Sequence, residues 1–311
     1  MQMVLKILTL FVLSLSLAAL AEPSKRPYKY SEELVKKAES GDVEAQNDLG
    51  VCYAEGLGVH QNYAEAVQWF QRAVDQGSDR GKNNMATSYR DGTGVAKNRE
   101  KAFELYLEAA KNGYEKAQIN AGLCYQDGFG VRQNYTEAFQ WFEKAADKNN
   151  GWALNRLGQF YWRGAGVEKN EGKAFEMFEK ASNLGNPSAQ LFLGMLYYNG
   201  QVPENKKPND PRKPSYRKKD FQKAFEWTLK SAEGGNKDAQ YNVAIFYWRG
   251  DGTEVDLEKA RFWMGKVAEG GDPKAKEVLG WITANQNADK FIDGWFSFGE
   301  QSKMESSSHP Q

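Results

Sequence analysis

The sequence predicts an all-α fold, an α/α superhelical solenoid of six 36-residue helix-turn-helix repeats with a capping helix at each end. Three observations carry that prediction. A small residue returns at Ala45, Gly81, Ala117, Ala153 and Ala189 at a constant step of 36, then at Ala239 after 50 and at Ala275 after 36 again. A tyrosine keeps phase with it at Tyr53, Tyr89, Tyr125, Tyr161, Tyr197 and Tyr247, as does a second alanine at Ala66, Ala102, Ala138, Ala174, Ala224 and Ala260. Glycine pairs one residue apart punctuate the units at Gly56/Gly58, Gly92/Gly94, Gly128/Gly130, Gly164/Gly166 and Gly250/Gly252. The 50-residue step is the 36-residue step plus an insertion of 14.

The elements follow in order. Residues 1–21 pair an early cation, Lys6, with an apolar run from Ile7 to Leu20 ending in Ala19-Leu20-Ala21, the pattern of a secretory signal peptide cut after Ala21. An uncleaved anchor is the alternative, against which the run is short of the ~20 residues a bilayer span needs. Residues 22–42 hold a linker and a lone second helix, Tyr30 to Gly41, that caps the first repeat. Residues 43–272 hold the six repeats. In the first of these, Ala45, Leu49, Cys52 and Tyr53 are spaced by three and four and make one helix face. Gly56 stops that helix, since glycine accepts the positive φ of a C-cap. Ala66, Trp69, Phe70 and Ala73 then form the face of a second helix, which ends at Gly77. The insertion, at about 201–216, lies in a stretch from Gly200 to Asp220 with four of the nine prolines and seven basic residues against three acidic. It reads as a solvated loop, or alternatively as a basic finger for an acidic partner. Residues 273–286 form a lone first helix at the C-terminal end, and residues 287–311 an aromatic segment with a polar, disordered end.

Lys plus Arg and Asp plus Glu both number 41, without a basic block, so a nucleic-acid partner is not implied. There are two histidines, His60 and His309, which argues against a zinc site or a His-based catalytic pair. The two cysteines, Cys52 and Cys124, share a repeat position two units apart. At about one helix diameter per unit they stand ~20 Å from each other, out of disulfide reach, and are expected to be buried free thiols.

The pattern A-x-x-x-L-G-x-x-Y-x-x-G-x-G-V, followed by A-x-x-W/Y and A-A-x-x-G, resembles the Sel-one-like repeat (SLR) family, relatives of the tetratricopeptide repeat with a longer inter-helix loop. The resemblance spans roughly Ser31 to Gln286 and implies a right-handed superhelix that serves as an interaction scaffold. Cysteine-rich members staple each helix pair with a disulfide, and some of those were described as weak β-lactamases or penicillin binders. This chain lacks that cysteine pattern. It does carry Ser215-Tyr216-Arg217-Lys218, the form of a penicillin-binding serine motif, but in the insertion and without its companion motifs, so chance is the better reading. Asn134-Tyr135-Thr136 forms a glycosylation sequon, yet Asn62 holds the same repeat position without one, so an N-cap explains both.

The resemblance also places the first helix of each pair along a concave groove. In the first three units its outward positions are mostly polar, such as Glu44, Asn47, Asp48, Arg80, Asn83, Asn84 and Asn120. Further on they become Trp152, Arg156, Trp162, Arg163, Phe192, Tyr198, Tyr241, Trp248 and Arg249, with Trp281 continuing the row on the final helix. Tryptophan, tyrosine and arginine dominate binding hot spots. We read these ten residues as a partner-binding groove. The alternative is self-coverage, since Phe291, Ile292, Trp295, Phe296 and Phe298 also need an apolar surface.

The reading that follows is a non-catalytic, monomeric scaffold, exported to a periplasm or secreted, without cofactor, metal or membrane span after signal cleavage, that binds another protein. By resemblance its role is that of an adaptor, a regulator of a membrane sensor, a host-entry factor or an immunity protein. A weak β-lactamase or penicillin-binding cell-wall enzyme is the alternative, and a structural link in an envelope or motor complex is a further one.

Overall fold

The computed structural model describes residues 29–202 and 218–284. The segment read as a signal peptide, most of the insertion with Ser215, and the aromatic tail with His309 lie outside these. The described residues hold fourteen helices and no strand. They group into two compact units that divide between Lys148 and Asn149.

The first unit contains α1 (Glu32–Glu39), α2 (Val43–Glu55), α3 (Tyr63–Asp75), α4 (Asp79–Asp91), α5 (Arg99–Lys111), α6 (Glu115–Asp127) and α7 (Tyr135–Ala146). The second contains α8 (Gly151–Arg163), α9 (Glu171–Asn183), α10 (Pro187–Asn199), α11 (Phe221–Glu233), α12 (Lys237–Arg249), α13 (Leu257–Glu269) and α14 (Pro273–Thr283). Within each unit, consecutive helices pack on one another, and α1 and α14 flank six helix pairs.

Local chemistry sets the boundaries. Second helices start at an Asn or Asp whose side chain accepts a backbone N–H two or three residues on: Asn62, Asn98, Asn134, Asn170, Asp220 and Asp256. Such a cap satisfies one of the orphan donors of a helix N-terminus. Asn134 is one of this series, accepting from Glu137 N at 3.1 Å, which gives the sequon asparagine its structural role. First helices end at a glycine in the left-handed region, as at Gly128, φ 69°. Two residues on, Gly130 lies so close to the start of α5 that a Cβ would collide with the Arg99 carbonyl.

The inserted stretch leaves its pair intact. Asp220 N donates to Tyr197 O at 3.0 Å, the bond that Asn62 makes to Tyr53 at 2.9 Å and Asn170 to Tyr161 at 2.9 Å in uninterrupted pairs. Val202, at the entrance to the insertion, is buried.

The core is built from small residues where helices meet and large ones between them. Ala45, Leu49 and Trp69 pack with Ala38 of α1, which closes the first pair as a cap. Ala239, Val243, Met264, Val278 and Ile282 join α12, α13 and α14. Cys52 and Cys124 are buried and free, and burial pushes their thiols up to about 11 and about 12.

Candidate functional site: the first-helix faces

In the first unit the outward polar positions are engaged with each other across repeats. Arg80 donates to Glu44 Oε2 at 2.7 Å and to Asp48 Oδ1 at 2.6 Å, tying α4 to α2. Asn120 Nδ2 donates to Asn83 Oδ1 at 2.9 Å, tying α6 to α4. Asn47, Asn83 and Asn120 are buried. Register placed these side chains on the outer face of their helices, but neighbouring helices crowd them into a polar ladder. A buried amide must be bonded to offset its desolvation, and the ladder meets much of that need.

All ten proposed groove residues belong to the second unit. On α8, the Arg156 guanidinium stands 4.6 Å from the Trp152 ring centroid, and Arg156 Nη1 donates to Gln159 Oε1 at 3.2 Å. The ring quadrupole favours a cation over its face. Arg156 is 4% exposed, so it supports Trp152 rather than presenting a charge to solvent. The next turn brings Trp162 edge-on to Phe192 of α10, centroids 6.2 Å apart, and Phe192 stacks on Phe178 of α9 at 4.3 Å. Tyr198 carries the contact on to α12, with its ring 5.7 Å from Phe246 and 5.1 Å from Phe221. Burial, with Asp251 beside it, holds the Tyr198 phenol above its ordinary value.

Trp248 departs from the expectation. At 4% exposure it belongs to the buried cluster with Val243, Tyr247 and Met264. Tyr241 and Trp281 are half-buried against the same cluster. Burial pushes the Tyr241 phenol up to about 12, with the Asp272 and Glu277 carboxylates adding to the effect. The arginines of the two Trp-Arg pairs stand at helix ends: Arg163 is exposed, and Arg249 pairs with Asp251 at 3.3 Å.

The structure thus brings Trp162, Phe192 and Tyr198 into a half-buried aromatic stretch across α8 and α10, and gathers Tyr241, Trp248 and Trp281 around α12 and α14. Arg156 and Trp248 serve the interior. Reading first helices alone missed Phe178 and Phe221, the second-helix rings that complete the stretch. For Phe178 the signal was the aromatic residue eight positions after the N-cap in the first four second helices, Phe70, Tyr106, Phe142 and Phe178.

Among the described residues no group of three or more His, Cys, Asp or Glu side chains is arranged to hold a metal ion, and no helix is long and apolar enough to cross a membrane.

The Sel1 repeat profile matches residues 43–78, 80–114, 115–150, 153–186, 187–213, 215–236 and 237–272, most of the chain. The chain belongs to the Sel1 repeat family. Seven matched segments correspond to six helix pairs, because 187–213 contains α10 and 215–236 contains α11, two halves of the pair that the insertion divides. A Sel1 repeat protein from Oxalobacter formigenes has a similar structure, with TM-score 0.63 at 28% identity over 76% of this chain and 95% of that one. A protective antigen of uropathogenic Escherichia coli strains displaying an SLR fold matches with TM-score 0.60 at 34% identity, over 81% of this chain and 51% of the antigen. A 60-residue stretch is 35% identical to DAP3-binding cell death enhancer 1 of Rattus norvegicus, 18% of this chain and 12% of that protein. The chain therefore spans about half the length of the antigen and a small part of the curated relative. These Sel1 repeat structures share the α-solenoid class, and Sel1 repeat proteins are protein-interaction scaffolds.

Proposed function

We propose that this Sel1 repeat protein is a non-catalytic, exported scaffold, acting as a monomer, that holds a protein partner against the aromatic first-helix stretch of its second unit. One observation carries the reading. Repeat positions that hold Asn84 and Asn120 in the first unit hold Arg156 and Phe192 in the second, and those that hold Ala54 and Gln126 hold Trp162 and Tyr198. Repeats of the first unit fold with small or polar residues at these positions, which supports reading the half-buried rings as a contact surface rather than a requirement of the repeat. A stretch of Trp, Phe and Tyr with Arg163 exposed at its margin has the composition of a binding hot spot. It suits a partner segment with apolar anchors and an acidic residue. Export rests on the signal-peptide pattern of residues 1–21, and the periplasm is the proposed compartment.

The test is site-directed photo-crosslinking in cells from a photoreactive phenylalanine at 192, with position 126 in the first unit as the comparison. The proposal expects a discrete protein adduct from 192 that is weak or missing from 126. Equal labelling from both positions would count against it.

A further inference from the structure

The edge of the first unit where second helices begin changes character in its middle pair. Pairs one and three enter their second helices with nearly the same residues, Gln61-Asn62-Tyr63-Ala64-Glu65 and Gln133-Asn134-Tyr135-Thr136-Glu137. Pair two has Lys97-Asn98-Arg99-Glu100-Lys101, so three cations stand where its neighbours hold Gln, Tyr and Glu. Both sets form a helix start, since α3, α5 and α7 begin at Tyr63, Arg99 and Tyr135. All three cations are exposed, and so is Arg132 on the next loop.

Packing brings these residues onto one surface. Gly94 lies so close to the start of α3 that a Cβ would collide with the Tyr63 carbonyl, and Gly130 stands in the same relation to the Arg99 carbonyl of α5. The helix starts and loops of the three pairs are therefore stacked in contact, with the cations of pair two between Tyr63 and Tyr135, which are 40% and 43% exposed. The Arg99 guanidinium stands 5.4 Å from the Phe129 ring centroid, and Lys101 Nζ 4.6 Å from that of Tyr89. The rings orient these two cations without neutralising them. Among the described residues none of Lys97, Arg99, Lys101 and Arg132 pairs with a carboxylate, whereas Lys82 of α4 is paired with Asp79 and Glu108, and Arg90 with Asp91. The N-terminus of α5 adds a positive potential of its own. Arg132 and Gln133 also line, with Tyr125 and Glu137, a depression of about 520 Å³.

We propose that this edge binds an acidic segment of a protein partner, with the segment's carboxylates on Lys97, Arg99 and Lys101 and its flanking residues against Tyr63 and Tyr135. Tyrosine and arginine are enriched in protein interfaces, and a guanidinium takes a carboxylate through two parallel hydrogen bonds. Glu65, Glu100 and Glu137 decide the class of partner. They stand among the cations and on either side of them, so an evenly charged polyanion or an anionic membrane surface meets repulsion along the same edge. A segment with two or three carboxylates in succession places its charges on the cations. With helix pairs ~10 Å apart, the two tyrosines stand ~20 Å from each other, a span that an extended segment covers in about six residues. The surface belongs to the first unit and shares no residue with the stretch at Trp162 and Phe192, so the inference stands independently of that reading.

The test is fluorescence anisotropy of the purified protein with a rhodamine-labelled dodecapeptide of Asp, Glu and Tyr, and with the same peptide carrying Asn and Gln in place of Asp and Glu. Lys97→Gln, Arg99→Tyr and Lys101→Glu together give pair two the residues of its neighbours. Lys36→Glu with Lys111→Glu changes the net charge by the same amount elsewhere on the first unit. The acidic peptide should bind the triple variant about tenfold more weakly and the charge-matched variant within about twofold of wild type. The amide peptide should bind the wild type about tenfold more weakly than the acidic one, and added salt should narrow that difference. Equal affinity of the two peptides for the wild type, or no binding of the acidic peptide, overturns the proposal however the variants fold. Equal losses in the triple and charge-matched variants overturn it by reducing the effect to net charge. Heparin or phosphatidylglycerol vesicles that bind more tightly than the acidic peptide, and are lost in the triple variant, would assign the edge to a polyanion or a membrane and overturn it equally.

Discussion

Gly158 lies under the ring of Phe178 where α8 meets α9, and a methyl group there has no room. Gly158→Ala is therefore expected to destabilise the protein by about 1–3 kcal/mol despite alanine's higher helix propensity, measurable as a lower denaturation midpoint. The buried thiols give a second residue-level expectation. With Cys52 and Cys124 pushed up to about 11 and about 12, the folded protein keeps both neutral at pH 8, and neither should react with iodoacetamide until denaturant is added. Because the folded state holds these protons more tightly, their contribution to stability is fully present below the ordinary thiol value. It declines as pH rises through about 11 to 12, so alkaline titration should lower the melting temperature over that range. Caps and thiols were legible in the sequence because each is fixed by its position within the repeat. Trp248 was not. Register assigns a side chain to a helix face, but its burial depends on how closely neighbouring helices pack over that face, which spacing along one helix does not encode.

At the scale of the element, each repeat is a pair of 12- or 13-residue helices closed by one backbone bond from the second-helix cap to the repeat tyrosine, as between Asn98 N and Tyr89 O at 2.9 Å. The insertion preserves that bond, so the pair α10–α11 owes little to the inserted residues. Removing residues 203–216 restores the spacing between Gly194 and Asp220 to that of the other pairs. Since loop-closure entropy changes slowly with length, deletion should move the melting temperature by no more than about 2 °C. A large loss of helicity by circular dichroism would contradict this. The boundaries of the pairs were legible in the sequence because glycine and asparagine sit where the backbone needs a left-handed residue and an orphan N–H needs an acceptor. The polar ladder was not, because Arg80 to Glu44 and Asp48, and Asn120 to Asn83, join residues about one repeat apart, and their geometry is set by stacking.

For the molecule as a whole, a constant step of 36 along most of the chain made the fold class readable before any contact was known. The functional surface was readable only in part. The change from small or polar residues to tryptophan, phenylalanine and tyrosine at equivalent first-helix positions pointed to the second unit, while the division of those residues between open face and interior required the packing. The scaffold account assigns its partner contact to the open subset. Its most direct test is the dissociation constant of the crosslinked partner, once purified, for the wild-type protein and for Trp162→Ala/Phe192→Ala, measured by calorimetry alongside circular dichroism of the variant. The account predicts an affinity at least ~30-fold weaker, about 2 kcal/mol, with helicity retained. An unchanged dissociation constant with helicity retained would contradict it.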